Sequence, residues 1–395
     1  MNQPTTRQSS EPAADQATAA PAIDQATAAP VADRPLIGAI EAGGTKMVLA
    51  CGYADGTITE RTSIPTQDPA QTVPAMIEWF ANKGIAALGI AAFGPTGVNP
   101  SLSTYGHILQ TPKLAWRNFD FLGAMSRGLN VPCGYDTDVN GACLGEVMYG
   151  AAKGLDSAMY ITVGTGIGAG IYAGGQLIHG MLHPEAGHIT LPRAAGDQDF
   201  ECVCPTHDSC FEGLAAGPAV VKRYGVERAS DMADDEGFLE LEGTYIAQGI
   251  LNYLYVASPQ RIILGGGVPD HAPKLMDRVR AKVLQLNNGY ISTPELDDID
   301  SYIVPPATAT KACLAPLRWE PRRCNRHSAA VRCCPYPAAP LPPTPPLPLG
   351  VPAQALTTLH RACFYAAFHH GRRPYLVKRG CWFWKETITI LERCG

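Results

Sequence analysis

Three glycine-dense turns, each at the end of an apolar run, constrain this chain more than any other feature. Leu36-Ile-Gly-Ala-Ile40 reads as a buried strand and Met47-Val-Leu-Ala50 as its returning partner. Glu41-Ala-Gly-Gly-Thr-Lys46 spans the turn between them. Ala158–Val163 and Ala169–Tyr172 form a second such pair around Gly164-Thr-Gly-Ile-Gly168, and a third run, Arg261–Leu264, ends in Gly265-Gly-Gly267. One glycine hairpin is a common turn. A strand, a Gly/Thr turn and a strand near the start of each half predict two related α/β domains across a cleft.

The rest of the chain fits that plan. A strand is expected over Thr57–Ile64, then a helix from Asp68-Pro69 to about Lys83, stopped by Gly84. Further strands are expected at Ala87–Ala92, Val131–Tyr135 and Tyr302–Val304. Helices are expected at Phe121–Gly128, Gly141–Tyr149, Glu240–Val256 and His271–Leu286. The boundaries follow: a first domain over 35–135, a second over 136–290, and a return strand to the first domain within 291–306. Residues 1–34 repeat Asp15-Gln-Ala-Thr-Ala-Ala-Pro21 as Asp24–Pro30 and carry too few apolar groups to offset ordering, so a disordered arm is expected. Residues 307–395 hold proline runs and clustered Cys and Arg, and a disordered tail is expected there.

Composition excludes several classes. A hydrophobic share of 46% over 395 residues supports two cored domains. A net charge of −5 gives no footprint for nucleic acid or an anionic membrane. No apolar stretch of about 18–20 residues occurs, so no membrane helix is expected. Met1–Gln16 lacks a basic and an apolar region, so a cytoplasmic protein is expected rather than a secreted one.

The turns suit phosphate. Gly43, Gly44 and Thr45 bring backbone N–H groups near an anion, and Lys46 adds a charge. Gly164, Thr165 and Gly166, then Gly265, Gly266 and Gly267, repeat the theme. Phosphoryl transfer needs such positioning more than covalent chemistry. Asp138, in Asp136-Thr-Asp138-Val-Asn140, either caps a helix or accepts a proton from an attacking hydroxyl, with Asp136 its rival for both roles. Glu185-Ala-Gly-His188 suits vicinal sugar hydroxyls, although a surface Glu and a satisfied His would look the same. Cys204, His207 and Cys210, with His188, form a candidate tetrahedral zinc set, one His188 nitrogen facing the metal and the other the sugar.

Together these residues resemble the ROK family (repressors, open reading frames, kinases), and within it the fructokinase branch. Glu41–Lys46 looks like its first phosphate loop. Phe93-Gly94-Pro95, Tyr105-Gly-His-Ile and Thr111-Pro-Lys-Leu-Ala-Trp116 look like its second block. Asp138-Val-Asn140 matches the catalytic-base motif, Glu185-x-Gly-His188 the sugar motif, Cys204–Cys210 the zinc loop, Leu264–Val268 the adenine-side glycines, and Gly217-Pro218 the approach to the nucleotide.

The resemblance covers about Leu36 to Pro306. It implies an actin-like, ribonuclease-H-like ATPase fold and ATP-dependent phosphorylation of a hexose, with D-fructose first. It further implies Asp138 as base; Gly94, Pro95, Asn140, Glu185 and His188 at the sugar; the glycine turns and Pro218 at ATP with Mg²⁺; and structural Zn²⁺. A homodimer is left open. Beyond Pro306 the chain departs from the family's closing helix, as a frameshift, mis-spliced exon or gene-model error would make it. Glucose, mannose or an N-acyl sugar are alternative substrates. A repressor would need a winged helix that residues 1–34 do not offer, and a non-catalytic sugar-binding protein is the third reading.

Overall fold

The computed structural model describes residues 34–308. The expected arm except its last residue, Arg34, and all of the expected tail except its first two residues, lie outside them.

Strands β1 (Ile37–Ala42) and β2 (Lys46–Gly52) are almost wholly buried, as their apolar runs require. Strand β3 (Ile58–Pro65) is largely exposed and polar, which suits an edge. Helix α1 (Pro69–Ala81) starts with Pro69 in its first turn and buries Thr72, Val73, Met76 and Phe80 on one face. Strand β4 (Ala87–Ala92) follows. The short strands β5 (His107–Ile108) and β6 (Phe119–Asp120) pair with each other. Helix α2 (Phe121–Leu129) is capped by Asp120, whose side chain accepts from Gly123 N–H. Strand β7 (Cys133–Thr137) closes the first sheet, of order β3-β2-β1-β4-β7. Ile40, Met47, Leu49, Met76, Phe80, Ile90 and Phe121 fill its core.

Helix α3 (Asp138–Tyr149) leads into strands β8 (Ser157–Val163), β9 (Ile167–Ala173) and β10 (Gln176–Leu177). Helices α4 (Phe211–Ala215), α5 (Gly217–Tyr224) and α6 (Glu236–Ala257) follow, then strand β11 (Ile262–Gly265). Helices α7 (Gly267–His271), α8 (Pro273–Asn287), α9 (Pro294–Asp297) and α10 (Ile299–Tyr302) precede strand β12 (Ile303–Val304). The second sheet has the order β10-β9-β8-β11-β12.

The two sheets share one plan. In each, a three-strand antiparallel meander is extended by two parallel strands: β4 and β7 beside β1, β11 and β12 beside β8. The duplicated turns therefore occupy equivalent places, β1–β2 and β8–β9.

Four expectations change. Residues 291–306 do not return to the first sheet: β12 pairs with β11, as β7 pairs with β4. The helix expected over His271–Leu286 breaks at Ala272 (φ −124°, ψ 75°), because Pro273 disfavours helical backbone in the residue before it. Helix α6 starts earlier than expected, at Glu236, because Asp235 accepts from Phe238 N–H. Ala307 and Thr308 are held in place rather than loose: both donate to the buried carboxylate of Glu146 on α3.

Candidate active site

Helix α3 begins at Asp138, three residues before the expected Gly141. Its cap is Thr137, whose hydroxyl accepts from Asn140 N–H at 3.1 Å. Capping therefore makes no demand on Asp138. Its Oδ1 accepts from Val139 N–H next to it, at 2.9 Å. The carboxyl is surrounded by protein although the residue keeps some exposure, as expected at the floor of an open site. Burial pushes it up to about 6, against the Val139 N–H and with help from the Glu41 carboxylate; His183 pulls weakly downward. Burial likewise raises Glu41, with Arg61 and Lys46 opposing.

Asp136 is committed elsewhere. Its Oδ1 accepts from Asn140 Nδ2 at 2.7 Å, and its Oδ2 lies 2.8 Å from His179 Nε2. That bond raises His179 above its ordinary value, against partial burial. Asn140 is fully buried with its amide turned to Asp136. It supports the Asp136–His179 pair, while its buried Oδ1 has no partner among the described residues.

Gly94 and Pro95, joined by a cis peptide, follow β4. A β-carbon on Gly94 would lie 3.7 Å from His183 Nε2. His183, whose side chain is only 7% exposed, places that nitrogen 2.9 Å from Glu185 Oε1, and the bond lowers Glu185. The expected helical spacing of Glu185 and His188 is a 3-10 turn, Ala186–His188, flanked by Glu185. His188 turns Nδ1 toward Cys204 Sγ (4.0 Å) and Nε2 toward Glu212 Oε1 (3.9 Å). The other Glu212 oxygen accepts from Ile167 N–H beside the Gly164–Gly166 turn. His183, His179 and Glu212 escaped the sequence reading. The only local signal was their spacing, two residues from Glu185 and Cys210, with a His-Gly before the loop.

The glycine turns expose backbone. A β-carbon on Gly43 would fall 2.8 Å from Lys46 O, so the tight β1–β2 turn needs glycine there. Gly44, Thr45 and Lys46 form its exposed crest. Gly217 N–H donates to Gly164 O at 2.7 Å, which brings Pro218, in the first turn of α5, beside the second turn. Gly267 N lies 3.7 Å from a β-carbon on Gly164, so three segments converge. Gly266, at φ +100°, turns the chain from β11 into α7. Gly265 is buried at the end of β11, against Pro306.

His188, Cys204, His207 and Cys210 bring their donor atoms within 4.8 Å of one another. Cys204 Sγ to His207 Nδ1 is 3.4 Å. Zinc bonds of about 2.0–2.3 Å in a tetrahedron give edges of about 3.5 Å, so this set fits the ion.

The ROK family profile matches residues 37–303. This chain belongs to the ROK family. Among its relatives is a fructokinase of Pediococcus pentosaceus, 44% identical over 280 residues, which are 71% of this chain and 95% of the relative. A fructokinase of Zymomonas mobilis is 37% identical over 286 residues, 71% of this chain and 94% of the relative. A ROK glucokinase from Streptomyces griseus, solved with glucose and AMPPNP, shares the fold at a TM-score of 0.57. It is 23% identical, with 71% of this chain and 97% of that chain covered. The fold is thus the two-domain, actin-like one that the family resemblance implied. Among the described residues no helix is long and apolar enough to cross a membrane.

Proposed function

We propose that this ROK chain transfers the terminal phosphoryl group of MgATP to a hexose, D-fructose, at its 6-hydroxyl. The observation that carries the reading is a carboxyl raised to about 6, relieved of capping duty and acted on by Glu41, which flanks the first glycine turn. Fructokinases at 37–44% identity over nearly their whole lengths support the substrate.

In this reading Asp138 accepts the hydroxyl proton as the oxygen attacks phosphorus, and the β–γ bridging bond breaks to release ADP. The Gly43–Lys46 and Gly164–Gly166 turns, with Pro218, Gly266 and Gly267, hold the nucleotide through bare backbone. Glu185, ordered by His183, and His188, beside Glu212, hold sugar hydroxyls near Gly94 and Pro95. The proposed setting is cytoplasmic. A panel of hexoses with ADP release as the readout tests the assignment. Turnover of fructose well above glucose, mannose and N-acylated amino sugars is expected, and equal or better turnover of another hexose would replace fructose.

We also propose that the His188, Cys204, His207 and Cys210 cluster binds one structural zinc. Bound there, zinc supplies a rigid tie between the 3-10 turn and the loop before α4. Elemental analysis is expected to find one zinc per chain. Its removal is expected to lower the melting temperature and raise the fructose KM, because His188 loses its anchor. Zinc-free protein with unchanged melting and KM would refute the site.

A further inference from the structure

Seven lysines lie among the described residues. Four of them, Lys83, Lys222, Lys274 and Lys282, pair with carboxylates. Among the described residues Lys113 and Lys153 do not, and Lys46 acts on the Glu41 carboxylate without a close ion pair. Lys46 ends the β1–β2 turn, and the Cε of Lys113 stands 3.4 Å from the point a β-carbon on Gly44 would occupy. Lys113 therefore lies over the turn's crest, although it is far away in sequence. A cation held over bare backbone N–H groups forms a site for an anion.

The placement is held from several sides. Lys113 enters the 3-10 turn Leu114–Trp116. Trp116 is 1% exposed, and its Nε1–H donates to Gln67 O at 2.8 Å. Its ring stands edge-on to Phe93, Phe119 and Phe121. One residue before Gln67, Thr66 N–H donates to Thr45 O and the Thr66 hydroxyl to Gly43 O, at 3.0 and 2.7 Å. The Thr66–Gln67 pair thus clamps both the glycine turn and the turn carrying Lys113. Among the described residues the N–H groups of Gly44 and Thr45 meet no backbone acceptor.

Resting on the kinase reading, we propose that Lys113 is a catalytic residue. Its ammonium contacts the terminal phosphoryl group over the Gly43–Thr45 turn and neutralises charge on the oxygens during transfer. Phosphorus gains its bond to the sugar oxygen and loses the one to the β–γ bridge. The hydroxyl proton goes to Asp138, and Lys113 keeps its own.

The test uses the full chain with Lys113→Met and Lys113→Arg. Calorimetry without sugar compares a non-hydrolysable ATP analogue with ADP. Lys113→Met is expected to weaken the triphosphate about tenfold or more and leave ADP unchanged. The kcat is expected to fall about 10²–10³-fold at an unchanged fructose KM, with Arg restoring part of it. Equal effects on both nucleotides, or a wild-type kcat, would overturn the proposal. A melting temperature matching wild type excludes unfolding as the cause, and Lys113→Gln replaces the Met variant should the latter not fold. The binding arm needs no acceptor. A wild-type chain that binds the analogue but phosphorylates no hexose therefore defeats the kinase reading, while the Lys113 contact is still decided by the two affinities.

Discussion

Asp138→Asn is expected to lower kcat by about 10²–10⁴-fold while leaving nucleotide binding intact. The amide keeps the shape and the Val139 contact but cannot take a proton. Because Thr137 caps α3, the substitution removes no cap. The pH dependence follows from the raised value. Activity should be lost as pH falls through about 6, where the carboxylate becomes protonated, and level off above it. The stability effect has the opposite sense. A carboxyl whose value is raised on folding stabilises the fold when protonated, a contribution present below its ordinary value of 3.8 and lost as pH rises through about 6. At neutral pH the asparagine should therefore melt no lower than wild type, and higher if desolvation dominates. A pH–kcat profile of wild type and melts of both proteins check this. A near-wild-type kcat in the variant would remove Asp138 from the base role.

Glu146→Ala is expected to destabilise the protein by about 3–5 kcal/mol, the cost of stripping a buried charged acceptor from several donors. Glu146 is 1% exposed. Its carboxylate accepts from Ala151 N–H at 2.8 Å, Ala307 N–H at 3.2 Å, Thr308 N–H at 2.8 Å and the Thr308 hydroxyl. Alanine would leave all four donors without that partner and would free the chain that follows β12. Glu146 also sits on the helix that presents Asp138 at its other end. Loss of the clamp should thus reach the active site, and Glu146→Gln, which turns one acceptor into a donor, should fall between the two. Denaturant unfolding measures the stability change. A loss under about 1 kcal/mol would show that the donors find other partners.

Much of this was legible in the chain. The runs at Leu36–Ile40, Met47–Ala50 and Ala87–Ala92 announced strands, because continuous apolar residues between turn residues have few other uses. The Glu41–Lys46 and Gly164–Gly168 turns marked the duplicated plan, and Cys204, His207 and Cys210 their own cluster. The failures share a cause. Thr137 and Asp138 are both good caps, and local propensity does not choose between them. Tyr302–Val304 reads as a strand but says nothing about its sheet, because β11 lies some forty residues earlier in the chain. Asn140 and Gly265 look exposed in a motif, yet both are buried by residues remote in sequence.

The sequence by itself determined which chemical groups are present and the turns that carry them: bare backbone at Gly43–Gly44 and Gly164–Gly166, a carboxylate at Asp138, and thiols and imidazoles around Cys204. Such features depend on a residue and its immediate neighbours. Only the tertiary structure decided what those groups can do. It buried the Asp138 carboxyl and raised it to about 6, committed Asp136 to Asn140 and His179, joined His183 to Glu185 and laid Lys113 over Gly44. Desolvation and charge–charge interaction are sums over every nearby atom, most of which come from distant parts of the chain.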